Sequence, residues 1–383
     1  MTQPTPRTIR GKRQGKPYAL SMPDSPDSKP TRAATVRDVA KHAGVSPATV
    51  SRILTGNRPV SRDIQARVYQ AMKELDYVVN EQARALSATT SRTVAILLDH
   101  LTAPFHNRIA SGVEQEAAER GRLSLVCTTT GDPGRELALI EMLRARNTEA
   151  VVLIGAVHDT PEYRNRIARV ARLLDGSGSR LVLVGRPSTV ENLPVTVVEY
   201  DNEGGAYAAT SHLLSMGHRR IAYIGPDTAH NSTSATRIAG YHRALTAHGL
   251  DPDPGLELTA RSGTESRTLG YTTMKRVLAS GAALPFTALF CFDDLVAAGA
   301  MTALREAGVS MPGDVSIIGY NDEPTALDVV PALTTVHVPH IELGRSAMRL
   351  VLDRDDPMNT ALGHHMTLGT YLVLRDSVQA LHR

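Results

Sequence analysis

From Thr93 onward, short apolar runs alternate with segments of helical period, and this alternation restricts what the chain can fold into more than any other feature. The apolar runs are 94–99, 123–128, 150–155, 181–185 and 195–200, then 221–225, 288–292, 315–320, 334–338 and 371–375. Helical period fills 109–120, 136–146, 205–216, 237–248, 267–279, 295–307 and 341–352. Runs that are apolar throughout fit strands buried on both faces, and strand–helix alternation covers a parallel sheet with helices on both sides. Ten such strands exceed what one sheet normally holds, so two doubly wound α/β lobes are expected over 93–383.

The chain before residue 93 has a different character. Residues 1–33 are rich in Pro, Ser, Thr and Arg without hydrophobic period, as in a disordered basic tail. Residues 34–80 read as a small all-α head of three short helices. Gly44 and Val45 turn the chain after the first helix. Ser46 and Pro47 open the second, since Ser is a favoured cap and Pro is tolerated at the first helical position. Ser61 is placed to cap the third, whose stripe is Ile64, Val68, Met72 and Leu75. Residues 81–92 follow as a hinge and linker with one short helix. Charge divides along the same lines: +5 for 1–33, +4 for 34–92 and −6 for 93–383, behind a whole-chain value of +3. A basic head on an acidic body points to a polyanionic partner for the head alone.

The most specific motif is TVRDVAKHAGVSPATVSRILTG, residues 35–56. In a helix-turn-helix the second helix enters the major groove with its N-terminal residues facing base edges. Thr35, Ser46, Thr49 and Ser51 carry hydroxyls suited to phosphate oxygens, which position a protein on DNA without reading sequence. Arg52 has the reach for a bidentate pair on a guanine edge. Pro47 and Ala48 are short, and offer apolar contact or shape exclusion. Taken singly, Ser46 is equally a helix cap and Arg52 a solvated charge; the whole pattern favours the groove.

With these residues in view, the chain resembles the lactose-repressor/galactose-repressor family from Thr35 to Asp376. The landmarks are dispersed and in order: Asp38 to Ala40, Ala43 to Ser46, Thr49 to Arg52, Tyr77 with Asn80, and Ala83 to Leu86. Then come Pro104 with Phe105, Asp201 with Asn202, Gly217 to Ile221, Arg237, Gly240 with Tyr241, Asp294, Gly319 with Tyr320, and Leu333 to Thr335. The resemblance implies a homodimer on a near-palindromic operator in double-stranded DNA, with a hinge helix from each subunit in the minor groove. By position Leu86 would be the wedge between base steps, with Ala83 beside it, and Asn57, Asn80 and Arg84 would touch backbone or groove. Read without the resemblance, Leu86 covers the top of the following domain. Val79 stands where the family usually has Pro.

The resemblance also implies a periplasmic-binding-protein-like sensor with its ligand between the lobes, at strand C-terminal ends. Carried over by position, Phe105 and His106 form an apolar wall with a polar edge. Thr233 and Arg237 donate from a loop–helix entrance, Arg237 by a bidentate guanidinium. Asn321 stands where Asp is usual, and Asp293 where Asn is usual; Asp293 reads equally as a ligand contact or an interlobe polar contact. Gly185 replaces a family Asp and Thr264 a frequent aromatic. A carbohydrate or derivative is the expected effector, and repression the expected sense of regulation.

Other classes find less support. Cys127 and Cys291 sit in apolar runs, as buried thiols of a reducing cytoplasm do. No run of about eighteen apolar residues suits a membrane span, and no apolar stretch follows the N-terminal charges as in a secretory leader. No phosphate-binding loop, nucleophile elbow or zinc spacing is present, so no enzyme, cofactor or metal is expected. His364 and His365 read as a solvated pair in a loop. Beyond Asp376 only a short tail without heptads remains. A solute-binding receptor or a sugar-processing enzyme would leave the basic helix-turn-helix unexplained.

Overall fold

The computed structural model describes residues 34–55, 60–77, 91–157, 159–187, 190, 192–229, 231–260, 266–353 and 364–381. The tail 1–33, most of the linker, and the sequence-named Asn57, Asn80, Ala83, Arg84, Leu86 and Thr264 lie outside them. The chain divides into two compact units, one on either side of residue 80.

In the first unit, α1 (Val36–Ala43), α2 (Pro47–Thr55) and α3 (Arg62–Glu74) form the three expected helices. Thr35 and Asp38 make a capping box on α1, and Gly44 ends it in the left-handed region at φ 67°, donating to the carbonyls of Ala40 and Lys41. The Ser46 hydroxyl accepts the Thr49 N–H at 3.1 Å and so caps α2. Ser61 occupies the cap position of α3, but its side chain makes no cap hydrogen bond, contrary to the sequence expectation. Val39, Ala40, Ala43, Val50, Ile53, Val68 and Ala71 close a single small core.

The second unit holds two six-stranded sheets, the two α/β lobes expected. The first lobe is built on β1 (Thr93–Leu98), β2 (Leu123–Thr128), β3 (Ala150–Ile154), β4 (Arg180–Val184), β5 (Val195–Tyr200) and β11 (His364–Leu368), in the order β11-β5-β4-β3-β1-β2. The second uses β6 (Ile221–Pro226), β7 (Glu257–Ala260), β8 (Ala288–Cys291), β9 (Ser316–Asn321), β10 (Thr334–His337) and β12 (Tyr371–Val373), in the order β12-β10-β9-β8-β6-β7. All pairs are parallel except β10 with β12, which is antiparallel. Two of these strands were not expected. Both β7 and β11 lie at sheet edges and are only partly buried, so they lack the continuous apolar run that marks an interior strand. His364 and His365 therefore begin a strand, and His365 meets Glu199 at 2.7 Å. Cys127, on edge strand β2, is half-buried where burial was expected; Cys291 is buried, and both thiols are free.

Helices flank the sheets: α4 (Pro104–Glu119), α5 (Pro133–Ala145), α6 (Pro161–Gly176) and α12 (His340–Leu352) on the first lobe. On the second are α7 (Asn202–Ser215), α8 (Ser232–Ala247), α9 (Ser266–Leu278), α10 (Asp294–Glu306) and the short α11 (Thr325–Asp328). Alternate strand residues serve different cores: Val94, Ile96 and Leu98 face one cluster while Ala95 and Leu97 face another. The first of these clusters continues into the second lobe through Tyr223, Tyr241, Phe290 and Ile318. Each fully buried Leu, Ile or Phe contributes roughly 1.5–3 kcal/mol, so these interior rows hold the unit together. The C-terminal residues fold back onto the second lobe, where the Ser377 hydroxyl donates to the Ile317 carbonyl at 2.6 Å.

The chain crosses between lobes three times: from β5 into α7, from β10 into α12, and from β11 into β12. The second crossing returns α12 to pack on α4, and reciprocal glycines let the two backbones touch. A Cβ on Gly112 would stand 2.1 Å from the Ile341 carbonyl oxygen, and one on Gly344 2.2 Å from that of Ile109. Gly112→Ala therefore should lower stability by about 1–3 kcal/mol through overpacking. Gly176→Ala, with open space around it, should leave stability unchanged or slightly raised. Urea midpoints of the two variants check this, and equal midpoints would contradict the close packing.

Candidate functional site

The first unit presents one polar face. Val50 and Ile53 turn the apolar side of α2 into the core, which leaves Pro47, Ala48, Ser51 and Arg52 exposed together with Ser46. Thr49 is half-buried, and its hydroxyl meets that of Ser46 at 2.9 Å. Of the residues expected to meet phosphate, Thr35 is the least available: its hydroxyl lies 2.6 Å from the Asp38 carboxylate, to which it donates. The face thus combines short residues, hydroxyls and one long donor on the helix that follows a tight turn.

In the second unit the strands of both sheets end toward the crossings, and Arg237 joins those ends. It is 1% exposed. Its Nε donates to Asn202 Oδ1 at 2.9 Å, and its Nη2 to the Tyr200 hydroxyl and Asn321 Oδ1, each at 3.2 Å. Nη1 donates to the Phe292 carbonyl, and the guanidinium lies 3.6 Å over the Tyr320 ring. Four of its five N–H donors are therefore held by protein. Arg237 links β5, the first crossing and the end of β9, a positioning contact that leaves its guanidinium held by protein. Around it, the Tyr320 hydroxyl donates to the carbonyls of Asp201 at 3.2 Å and Asn202 at 3.3 Å. Asn321 has φ 102°, a sparsely populated region for a residue with a side chain, and backbone strain of that kind clusters at functional sites.

Phe105 is the centre of a second group. Its ring stands edge-on to His340 at 5.0 Å and to His106 at 5.6 Å, and tilts against Tyr200 at 5.7 Å. The His106 ring fits because residue 155 is glycine: a Cβ there would lie 2.8 Å from Nε2. The cap position of α4 is Ala103, which has no side-chain hydrogen bond to give. The Glu323 carboxyl of the other lobe lies near the Phe105 N–H, whose dipole favours its charged form. Burial pushes the Glu323 carboxyl up to about 7, helped by Asp293 and opposed by Arg108 and Asn321. Burial pushes the His340 imidazole down to about 3, and lowers His106 as well. Asp293, also raised by burial, caps α10 by accepting the Val296 N–H at 2.7 Å. Thr233, near the start of α8, is buried.

Beside this group lies an open cavity of about 1070 Å³. Asp99, Thr129, Glu136, Tyr163 and Arg186 of the first lobe and Asn231, Ser266 and Leu295 of the second are among its walls. None of the six sequence-named effector residues is. The lobes meet at its rim, where the Ser232 N–H donates to the Val157 carbonyl at 3.1 Å and the Val157 N–H to the Ser232 hydroxyl at 3.2 Å. Arg186 pairs with Glu136 at 2.9 Å, both nearly buried. Burial opposes its charge, but Glu136, Tyr163 and Asp99 together outweigh that and the Arg186 pKa is raised.

Sequence reasoning missed Glu323, His340, Arg186 and Glu136. A rule was available for three of them. Arg186 and Glu323 follow the ends of β4 and β9, and His340 lies just past β10, where α/β sheets place ligand groups. Glu136 carried no signal, because its partner is fifty residues away. Among the described residues no group of three or more His, Cys, Asp or Glu is arranged to hold a metal ion, and no helix is long and apolar enough to cross a membrane.

Comparison with known proteins gives consistent matches. A family model described as bacterial regulatory proteins, lacI family, matches residues 35–80, and one described as a periplasmic binding protein-like domain matches residues 210–378. The chain is 30% identical to the HTH-type transcriptional repressor PurR of Haemophilus influenzae over 352 residues, 91% of this chain and 99% of that one. It is similar to the transcriptional regulator CelR–cellobiose complex, at TM-score 0.65 and 30% identity, over 90% of this chain and 100% of that one. The lac repressor dimer bound to operator and the anti-inducer ONPF shares the fold at TM-score 0.76 and 24% identity, over 91% of this chain and 100% of that one.

Two outcomes follow from the cleft geometry. Arg237→Ala should destabilise the second unit by on the order of 3 kcal/mol, because Asn202, Asn321 and Tyr200 lose a shared donor, and Arg237→Lys should not restore it. Thermal melts that match wild type would refute the positioning role. Glu323 binds a proton more tightly in the folded chain than the ordinary value of 4.5, so its contribution to stability falls as pH rises from about 4.5 to about 7. His340 acts oppositely below its ordinary 6.5, and Asp293 and Asp294 act in the same sense as Glu323. The melting-temperature advantage of Glu323→Gln over wild type should therefore grow between pH 5 and 7.5. A constant difference across that range would show that the carboxyl does not titrate there.

Proposed function

The chain belongs to the lacI family of bacterial regulatory proteins, and from that premise we propose how this transcription regulator uses its two units. The first binds a near-palindromic operator in double-stranded DNA as one half of a homodimer. The second takes up a small-molecule effector, a carbohydrate or derivative, between its lobes. The observation that carries the DNA reading is the division of α2, with Val50 and Ile53 inward and Pro47, Ala48, Ser51 and Arg52 outward on one face. As the second helix of a helix-turn-helix, a helix so divided lies in the major groove with its outer residues toward the bases. Ser46 and Thr49 contact phosphates, Arg52 reads a base edge, and Thr35, whose N–H and hydroxyl both go to Asp38, holds the start of α1 at the DNA face. Asn57, Asn80, Ala83, Arg84 and Leu86 follow the family assignment to the DNA backbone and minor groove.

Control of the operator comes from the cleft. The three crossings and the Arg237 cluster form a hinge, and an effector that favours one degree of closure shifts the population toward it. Such coupling is typically worth about 1–3 kcal/mol. Phe105, His106, Thr233, Asp293 and Asn321 border the effector, with Arg237 holding the hinge beside them. The cellobiose held by its relative CelR favours a sugar-like molecule. The protein works in the cytoplasm, where its DNA is, and has no catalytic role. Repression is the sense of regulation, as the name of the Haemophilus relative suggests.

Gel-shift titration with a palindromic duplex recovered by selection tests this reading. Arg52→Ala should weaken specific binding by about 1–3 kcal/mol while leaving non-specific binding to unrelated duplexes nearly unchanged. Equal losses on both duplexes would assign Arg52 to phosphate instead. No retardation of any duplex at low salt would remove the regulator mechanism.

A further inference from the structure

Three buried polar atoms on the residues around Phe105 have no hydrogen-bond partner: Nδ1 of His106, Nε2 of His340 and Oε2 of Glu323. Glu323 and His340 are only 3% and 4% exposed. Buried polar groups without partners are rare, because each costs about 1–3 kcal/mol of desolvation, and those that persist mark functional sites. Here they draw on both lobes, His106 and His340 from α4 and α12 and Glu323 from the loop after β9.

The surroundings decide what these groups accept. Burial disfavours the charged form of all three, so both imidazoles are neutral and the carboxyl gains its proton easily. A neutral imidazole offers one donor and one acceptor, and a carboxyl that readily takes a proton offers the same pair. Arg237, the buried cation of the hinge, already gives four hydrogen bonds to protein. Arg108, on the exposed side of α4, reaches both Glu323 and His340 only through its field. Asp293 and Asp294 add carboxyls that burial also pushes toward the neutral form. A phosphate or carboxylate entering this ground would find no free buried cation, since Arg237 is held by protein and Arg186 by Glu136 and the Gly155 carbonyl, and would be left as an unpaired buried charge. A hydroxyl, which donates and accepts at once, matches every member of the group.

We propose that Glu323, His340 and His106 form a specificity cluster that takes a neutral hydroxyl-bearing part of the effector and rejects phosphorylated or carboxylated ones. The proposal rests on the reading of the interlobe cleft as the effector site. Because His106 and His340 come from the first lobe and Glu323 from the second, a ligand held by the cluster touches both lobes and so ties recognition to their closure.

Thermal shift and calorimetry on the full chain test it with D-ribose, D-glucose and cellobiose against glucose 6-phosphate and glucuronate. At least one neutral sugar should bind, its acidic counterpart at least about tenfold more weakly. Glu323→Gln, which keeps a donor and an acceptor, should retain most of that binding, while Glu323→Leu should lose about tenfold or more. Equal or tighter binding of the acidic sugars, or indifference to Glu323→Leu in a variant that melts cooperatively, overturns the cluster. Silence of all five sugars removes the effector reading instead, and a ligand-free measurement then judges the cluster alone. In that measurement His340 should remain a neutral imidazole at pH 5 by nitrogen-detected NMR; an imidazolium there overturns the assignment.

Discussion

The second unit depends on one constraint: two mostly parallel sheets joined at the C-terminal ends of their strands by three crossings of the chain. β5, β10 and β11 each leave their sheet at that edge, so the two lobes are tied there and there only by covalent chain. A parallel sheet has all its strand ends on one side, and tying two such edges together creates a cleft lined by loops and helix starts. The hinge is stiffened by hydrogen bonds rather than by bulk. Arg237 reaches Tyr200, Asn202, Phe292 and Asn321, and Tyr320 reaches the carbonyls of the first crossing. Rotation about this hinge must rearrange those bonds together, which favours discrete degrees of closure over continuous bending.

The cleft is also where electrostatics are least forgiving. Asp293, Asp294 and Glu323 are raised and His106 and His340 lowered, in each case with burial as the leading cause. The fold holds polar side chains here at a cost in stability, as perturbed groups in a cleft generally signal function. The contrast with the rest of the unit is clear. On the outer side of α4 and α12, Glu116 is met by Arg120, Arg345 and Arg349, an ion-pair network whose charges are mutually satisfied. Charge is mutually paired where it fastens helices, whereas the cleft keeps polar atoms of His106, His340 and Glu323 without a partner.

Most of the architecture was legible in the sequence because interior parallel strands are apolar along their whole length. The edge strands β7 and β11 escaped, being short and half-exposed, and so did the antiparallel return of β12, whose direction no local pattern encodes. Helix starts were placed late, since the period begins where burial begins. α4 starts at Pro104, five residues before the first periodic residue Ile109, and those five include Phe105 and His106. Of the expected effector residues, Phe105 packs on His106 and Arg237 bonds Asn321, but none lines the cavity, and the sequence could not show that protein partners already hold Arg237. Nor could it show Glu323 buried. An acidic residue between Asp322 and Pro324 reads as a solvated turn, and only the tertiary fold around it removes it from water.

The two units serve one account: a divided helix that reads a duplex, and a cleft whose closure sets how well it does so. The most direct test is to mix the purified chain with fragmented DNA from the chromosome that encodes it and sequence what is retained. The account predicts a small set of enriched fragments sharing a twofold-symmetric motif, with enrichment that changes when a cleft ligand is added. Retention without any shared symmetric motif would contradict it.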